Sequence, residues 1–149
     1  MKFKSVSLLL SAIFVVLPRH ALSDGGQPPA GIVVHADALS TNQGSVHCAL
    51  YANEKGFPTE PKYALARVKV QPRDKAATCA FLDVKAGRYA VALWHDVNNN
   101  GKVDSNWLGI PNEPVGASNN AKGSFGPPKF ASASFEYRPP LLRQTVRVE

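Results

Sequence analysis

Short runs in which apolar and polar residues alternate recur along most of the chain, and turn-forming residues separate them. In residues 67–71, Val68 and Val70 alternate with charged or amide side chains, and such a period of two predicts a strand with one buried face. No stretch shows a sustained helical period. Further strands are predicted by similar runs at residues 32–39, 45–51, 77–84, 88–95, 130–137 and 144–148.

The run at residues 88–95 is apolar on both of its faces. A strand of this kind is typical of the buried centre of a sheet. The connection before it, residues 85–87, is short enough for a hairpin turn in which Gly87 adopts a positive φ. We therefore expect residues 77–84 and 88–95 to pair as a hairpin.

Seven short strands with turns between them predict an all-β fold, a single seven-stranded β-sandwich domain over residues 31–149. The expected type is immunoglobulin-like or transthyretin-like. Two long connections interrupt the strands, at residues 52–66 and 97–129. Loops of this length are often functional, and the second directly follows the predicted central strand.

The amino terminus has the pattern of a secretory signal peptide. Lys2 and Lys4 precede an apolar run over residues 6–17, and the small residues Ala21 and Ser23 follow. A membrane anchor is the alternative, but about 20 apolar residues are needed to span a bilayer. We expect residues 1–23 to be removed, residues 24–30 to be a flexible lead-in, and the product to be exported, periplasmic or secreted, without a membrane span.

Charge gives little indication of a nucleic-acid partner. The formal net charge of +6 falls to +3 after loss of the signal peptide, because three basic residues leave with it. So small and scattered an excess argues against nucleic acid. Of the two cysteines, Cys48 and Cys79, neither lies in a C-x-x-C spacing, so a structural disulfide is favoured over a redox or metal pair in an exported protein.

The segment after the predicted central strand carries the most suggestive chemistry. Asp96, Asn98 and Asn100 stand at alternate positions, and Gly101 and Asp104 follow. Oxygen donors spaced by two, then a glycine, are typical of calcium loops. Trp107 stands where an EF-hand would have its bidentate glutamate, so Glu113 is the nearest candidate for the final ligand and Asp83 a more distant one. The alternative is a tight turn without a metal.

These residues also carry a resemblance. The segment from His95 through Asp104, with Gly109-Ile110-Pro111-x-Glu113 and Gly116-x-Ser118-Asn119-Asn120, resembles the signature of a bacterial family of small exported proteins, domain of unknown function 2141. The strand from Gly87 resembles that family's Gly-x-Tyr-Ala strand. Pro114 and Ala117 depart from the family pattern. The resemblance implies an exported β-sandwich and no assigned activity.

Catalytic and other metal sites are less favoured by the sequence. Three of the four histidines, at positions 35, 47 and 95, are candidates for a metal cluster but have no paired spacing, and His95 and Asp96 should point to opposite faces of one strand. A hydrolase would use Asp96, Asp104 or Glu113. We expect instead a non-catalytic module whose 96–120 loop binds a ligand, with a glycan or cell-envelope partner, and with Trp107 either contacting that ligand or packing the loop onto the sheets.

Overall fold

A computed structural model describes residues 30–149, so the predicted signal peptide and most of the lead-in lie outside the described residues. The chain is all-β, as predicted, with two sheets and little helix. Within the described part of the chain, no helix is long and apolar enough to cross a membrane. The strands are β1 Gly31–Asp37, β2 Ser45–Tyr51, β3 Ala66–Val70, β4 Ala77–Leu82, β5 Gly87–Asp96, β6 Val115–Ala117, β7 Phe135–Tyr137 and β8 Leu141–Arg147.

The three-stranded sheet has the order β4-β1-β8, and the other has the order β3-β2-β5-β6. The strand β7 also pairs with β5, beside Gly87 to Tyr89, whereas β6 pairs with the later part of β5. One edge of β5 is therefore covered by β2 and the other by β6 and β7. The predicted central position of this strand is confirmed, and its side chains on both faces are buried.

One apolar core contains side chains from both sheets. It includes Ile32 and Val34 of β1, Val46 of β2 and Val91 of β5. Cys48 of β2 and Cys79 of β4 form a disulfide, with their Cα atoms 6.4 Å apart. The predicted bridge is thus confirmed, and it links one sheet to the other through this core.

The outer face of the five-stranded sheet is also covered, but by loops. Two small clusters form there, around Ala49, Tyr51, Ala92 and Trp94 and around Ala90, Ala117 and Ala133. Phe57, from the first long connection, and Phe130, at the start of the short helix that follows the second, pack against both clusters with their rings in an edge-to-face arrangement. These loops bury the second apolar face of β5, which explains why its sequence is apolar throughout.

The predicted strand count and one predicted strand pairing were wrong. Residues 30–149 form eight strands, because Val115–Ala117 forms β6 inside the long connection. Residues 130–137 are a four-residue helix, α1 Phe130–Ala133, followed by β7. The expected hairpin between residues 77–84 and 88–95 does not form, because β4 pairs with β1 while β5 pairs with β2. Residues 83–86 instead cross between the sheets, and Gly87 is not among the glycines with positive φ.

Candidate functional site

The candidate site is the loop between β5 and β6, residues 97–114, together with the end of β5. Pairing of β2 with β5 places Ser45 opposite Asp96 and His47 opposite Trp94. Because side chains two apart on a strand share a face, His47, Trp94 and Asp96 all lie on the outer face of the five-stranded sheet. His95 points to the opposite face, as predicted.

Asp96 closes the first turn of the loop. Its Oδ1 accepts the N–H of Asn100 at 3.0 Å, and its Oδ2 accepts the N–H of Gly101 at 2.8 Å. The same Oδ2 lies 3.2 Å from Nε2 of His47. Asp96 is fully buried, so these donors replace the water that a carboxylate needs. Gly101 has a φ of 80°, which allows the backbone to turn its N–H toward Asp96.

His47 supports Asp96 from the neighbouring strand. Its ring stacks on Trp94, with centroids 4.6 Å apart and planes 11° from parallel. Burial is the largest influence and lowers the pKa of His47 below its ordinary value of 6.5, although the Asp96 carboxylate opposes the shift. A carboxylate only accepts hydrogen bonds, so the Nε2–H group of His47 donates this hydrogen bond to Asp96.

Glu113 closes the loop from its other end. Its Oε1 accepts the N–H of Val97 at 2.9 Å, and its Oε2 accepts the N–H of Asp104 at 3.1 Å. The side chain is buried, so one carboxylate joins the start, the middle and the end of the loop. Asp96 and Glu113 therefore hold the loop base together by hydrogen bonds to its backbone.

The amides of Asn98 and Asn100 both point at Asp104. Their Nδ2 groups donate to Oδ2 and Oδ1 of Asp104, at 2.6 and 2.8 Å. Their Oδ1 atoms accept backbone N–H groups two residues ahead, which are those of Asn100 and Lys102. The structure thus brings the five residues of the predicted calcium site into one hydrogen-bonded network. Residues 30–149 contain no group of three or more His, Cys, Asp or Glu side chains that could hold a metal.

The apex of the loop is a turn at residues 106–110, the tip turn, whose large side chains face solvent. Trp107 is 90% exposed, Leu108 60% and Ile110 56%. Trp107 therefore does not pack the loop onto the sheets, which was one of its two predicted roles. Phe125, on the next loop, is also fully exposed.

The three histidines that the sequence raised as a metal cluster occupy separate environments. His35 lies exposed on β1 with its Nδ1 3.2 Å from the Thr78 hydroxyl. His47 contacts Asp96, whereas Nε2 of buried His95 lies 2.7 Å from the carbonyl oxygen of Gln43. Each ring has its own local partner.

Besides the contact between His47 and Asp96, two features of the site were missed by sequence reasoning. The Ser45 hydroxyl donates to Oδ1 of Asn99 at 2.6 Å and accepts from Nε2 of Gln71 at 3.1 Å, which ties β2 to the loop. Asn106 organises the tip turn by accepting two backbone N–H groups with its side chain. An asparagine three residues before a glycine is a turn signal, so the sequence could have identified the role of Asn106. The hydrogen bonds of Ser45 depend on strand register, which the sequence does not show.

A family model described as an uncharacterized protein conserved in bacteria, domain of unknown function 2141, matches residues 34–141. The chain belongs to this family. The matched residues include the whole 97–114 loop and every residue of the network around Asp104, so the predicted resemblance is confirmed. No curated protein and no solved structure matches the chain.

The role of Glu113 in this member of the family can be tested by Glu113→Gln. Glutamine keeps one acceptor oxygen but directs an amide at the second backbone N–H, so one buried donor loses its partner. We expect the free energy of unfolding to fall by about 2 kcal/mol, measured by urea denaturation. Glu136→Gln, an exposed site on β7, should change it by less than about 0.5 kcal/mol; equal effects would contradict the assigned role.

Proposed function

We propose that the chain is an exported, non-catalytic β-sandwich module whose 96–120 segment is its binding surface. This proposal rests on a contrast between the base and the tip of the 97–114 loop. The base is held by two buried carboxylates, whereas the tip exposes Trp107, Leu108 and Ile110. Adjacent large apolar side chains on a well-ordered loop mark an interaction site more often than chance exposure does.

Export is supported by the signal-peptide pattern of residues 1–23 and agrees with the disulfide between Cys48 and Cys79. Disulfides persist in secreted and periplasmic proteins and are rare in the cytosol. The sequence pattern at the amino terminus and the disulfide in the core thus both support export from the cytoplasm.

The hydrogen bonding of the carboxylates supports a non-catalytic role. A general acid or base must reach the proton that it transfers. The two oxygens of Asp96 and the two of Glu113 already accept backbone N–H groups of the loop, and both side chains are buried. Asp104 accepts two amide groups, so all three candidate acids are used to shape the loop.

Calcium is the cation that this loop suits best. Asn98 and Asn100 each use one lone pair of Oδ1 for a backbone bond, and a carbonyl oxygen has a second lone pair. The ring formed by Asp96, Asn98, Asn100 and Asp104 could therefore coordinate a hard cation that displaces the amide donors from Asp104. With so few carboxylates the affinity should be in the range of extracellular modules, a Kd of roughly 1 mM.

Calcium binding predicts a rise in the melting temperature. At 10 mM CaCl₂, about ten times the expected Kd, we expect an increase of about 4 °C in the wild-type chain. Asp104→Asn should abolish the increase, whereas Asp74→Asn, which alters an acid outside the loop, should retain it. Magnesium at the same concentration is the ionic control, and an equal increase in Asp104→Asn would overturn the calcium proposal.

The binding surface can be tested by sedimentation with a bacterial cell-envelope fraction. We expect the wild-type chain to co-sediment, and the tip variant Trp107→Ser/Leu108→Ser/Ile110→Ser to bind roughly tenfold more weakly or worse. Leu65→Ser is the matched control, because Leu65 is 61% exposed and its N–H bonds the Leu50 carbonyl, away from the end of β5 that carries the loop.

The alternatives have distinct outcomes in the same assays. Release from the envelope fraction by soluble oligosaccharides would favour a glycan ligand, for which the exposed face of Trp107 is suited. Unchanged binding of the tip variant would contradict the proposed surface. Turnover in an esterase, glycosidase and phosphatase screen that Glu113→Gln abolishes, with the fold retained, would favour the hydrolase instead.

A further inference from the structure

The tip turn combines exposed apolar side chains with a backbone that pairs four of its five N–H groups within the turn, the exception being the N–H of Trp107. The N–H of Asn106 donates to the carbonyl of Ile110, and that of Gly109 donates to the carbonyl of Asn106, both at 2.9 Å. The N–H groups of Leu108 and Ile110 donate to Oδ1 of Asn106, at 2.9 and 3.0 Å. Pro111 follows and has no N–H to satisfy.

A turn that is exposed only to water does not require these internal hydrogen bonds. Water can satisfy the N–H groups of a surface loop, whereas an apolar medium cannot, and a backbone group without a partner there costs several kcal/mol. A turn in which four of five backbone N–H groups are already paired can enter such a medium with its apolar side chains and leave only the Trp107 N–H without a partner among those donors. Below the tip, Ser105 and Pro111 form a β-bridge, and the Asn112 N–H donates to the Asp104 carbonyl, so the ordered backbone continues to the loop base.

The charges of the 97–114 loop favour one kind of apolar medium. Its charged residues are Lys102, Asp104 and Glu113. The carboxylate of Asp104 is bound by two amides and Glu113 is buried, whereas Lys102 is exposed. Lys102 is thus the exposed charged side chain of the loop, and the chain without residues 1–23 has a formal net charge of +3; anionic lipid headgroups attract such positive groups.

The side chains at the tip also suit a lipid interface. Tryptophan is enriched at the boundary between headgroups and acyl chains, because its ring is apolar but its indole N–H is polar. Leu108 and Ile110 flank Gly109 and would lie deeper among the acyl chains. From these observations we propose that the tip turn inserts into the surface of an anionic lipid bilayer and docks the module there. This inference rests on the proposed binding surface and names its partner.

Tryptophan fluorescence provides a direct test, because the described chain has one buried tryptophan, Trp94, and one exposed tryptophan, Trp107. Vesicles of phosphatidylethanolamine and phosphatidylglycerol should float the wild-type chain and protect its fluorescence from iodide. The Trp107→Phe variant gives the baseline of Trp94. We expect the tip variant to bind these vesicles roughly tenfold more weakly or worse, and Leu65→Ser to bind like the wild type.

Two further measurements separate this inference from the proposed function. Vesicles of phosphatidylcholine alone should bind more weakly, since they lack the anionic charge. If phosphatidylglycerol vesicles give neither flotation nor protection while a delipidated cell-envelope fraction still protects Trp107, the lipid inference is overturned and the binding surface stands. If neither vesicles nor the complete envelope fraction protects Trp107, both proposals are overturned.

Discussion

Removal of the Cys48–Cys79 bridge is expected to lower the free energy of unfolding by about 4 kcal/mol, which corresponds to a fall of about 15 °C in melting temperature. The bridge closes a segment with a sequence separation of 31 residues, and the chain-entropy model relates the stabilisation to the length of that segment. The effect should be large because the bridge joins β2 to β4, which belong to different sheets and share no backbone ladder.

The experiment compares Cys48→Ala/Cys79→Ala with the reduced wild-type chain by urea denaturation. Both sulfur atoms lie in the core, so the double variant also loses packing, whereas reduction removes the covalent link and keeps the sulfur atoms. We expect most of the loss in both samples, and no additional loss when reductant is added to the variant. A reduced wild-type chain that unfolds within about 1 kcal/mol of the oxidised one would contradict the expected contribution.

The pattern of apolar and polar residues predicted burial correctly where the environment of a residue depends only on its own strand. Val68 and Val70 face inward because a period of two places them on one side, and β5 is buried because it is apolar on both faces. The carboxylate loop was recognised for a similar reason, since the spacing from Asp96 to Asp104 is local and its hydrogen bonds are made largely within the same loop.

Prediction failed where the outcome depends on distant segments. The short connection before Gly87 suggested a hairpin, but β4 pairs with β1 and β5 with β2, a choice of partners that turn length does not encode. The apolar run at Phe130 is compatible with strand or helix, and Phe130 packs against Phe57 from the first long connection. The strand β6 has three residues, too few to show a period.

The contact between His47 and Asp96 was missed for a related reason. The two residues are 49 positions apart, and the register of β2 against β5 brings them to the same face. The register depends on the whole hydrophobic face of each strand and on the chain that joins them. Sequence reasoning therefore located the loop but not its support from β2.

Asp96→Ala should have the second-largest effect, a loss of about 3 kcal/mol in the free energy of unfolding. The substitution removes an acceptor of three donors, which are the N–H groups of Asn100 and Gly101 and Nε2 of His47. The Asn100 N–H keeps a second acceptor, Oδ1 of Asn98. Buried donors left without a partner cost about 1–3 kcal/mol each. The expected loss in the free energy of unfolding is smaller than the sum of these separate costs, because the N–H groups of Asn100 and Gly101 can turn toward water once the loop opens.

Hydrogen exchange separates this local role from a general loss of stability. In Asp96→Ala we expect the amides of Asn100 and Gly101 to lose protection, while those in the centre of β2 and β5 remain protected at levels set by global unfolding. Asp96→Asn keeps one acceptor oxygen and should lose about half as much stability as the alanine variant. Glu54→Ala, an exposed acid in the other long connection, is the control. Unchanged exchange at Asn100 and Gly101 in Asp96→Ala would show that the Asp96 carboxylate does not hold the loop. Other contacts would then have to support the loop base from which the exposed tip projects.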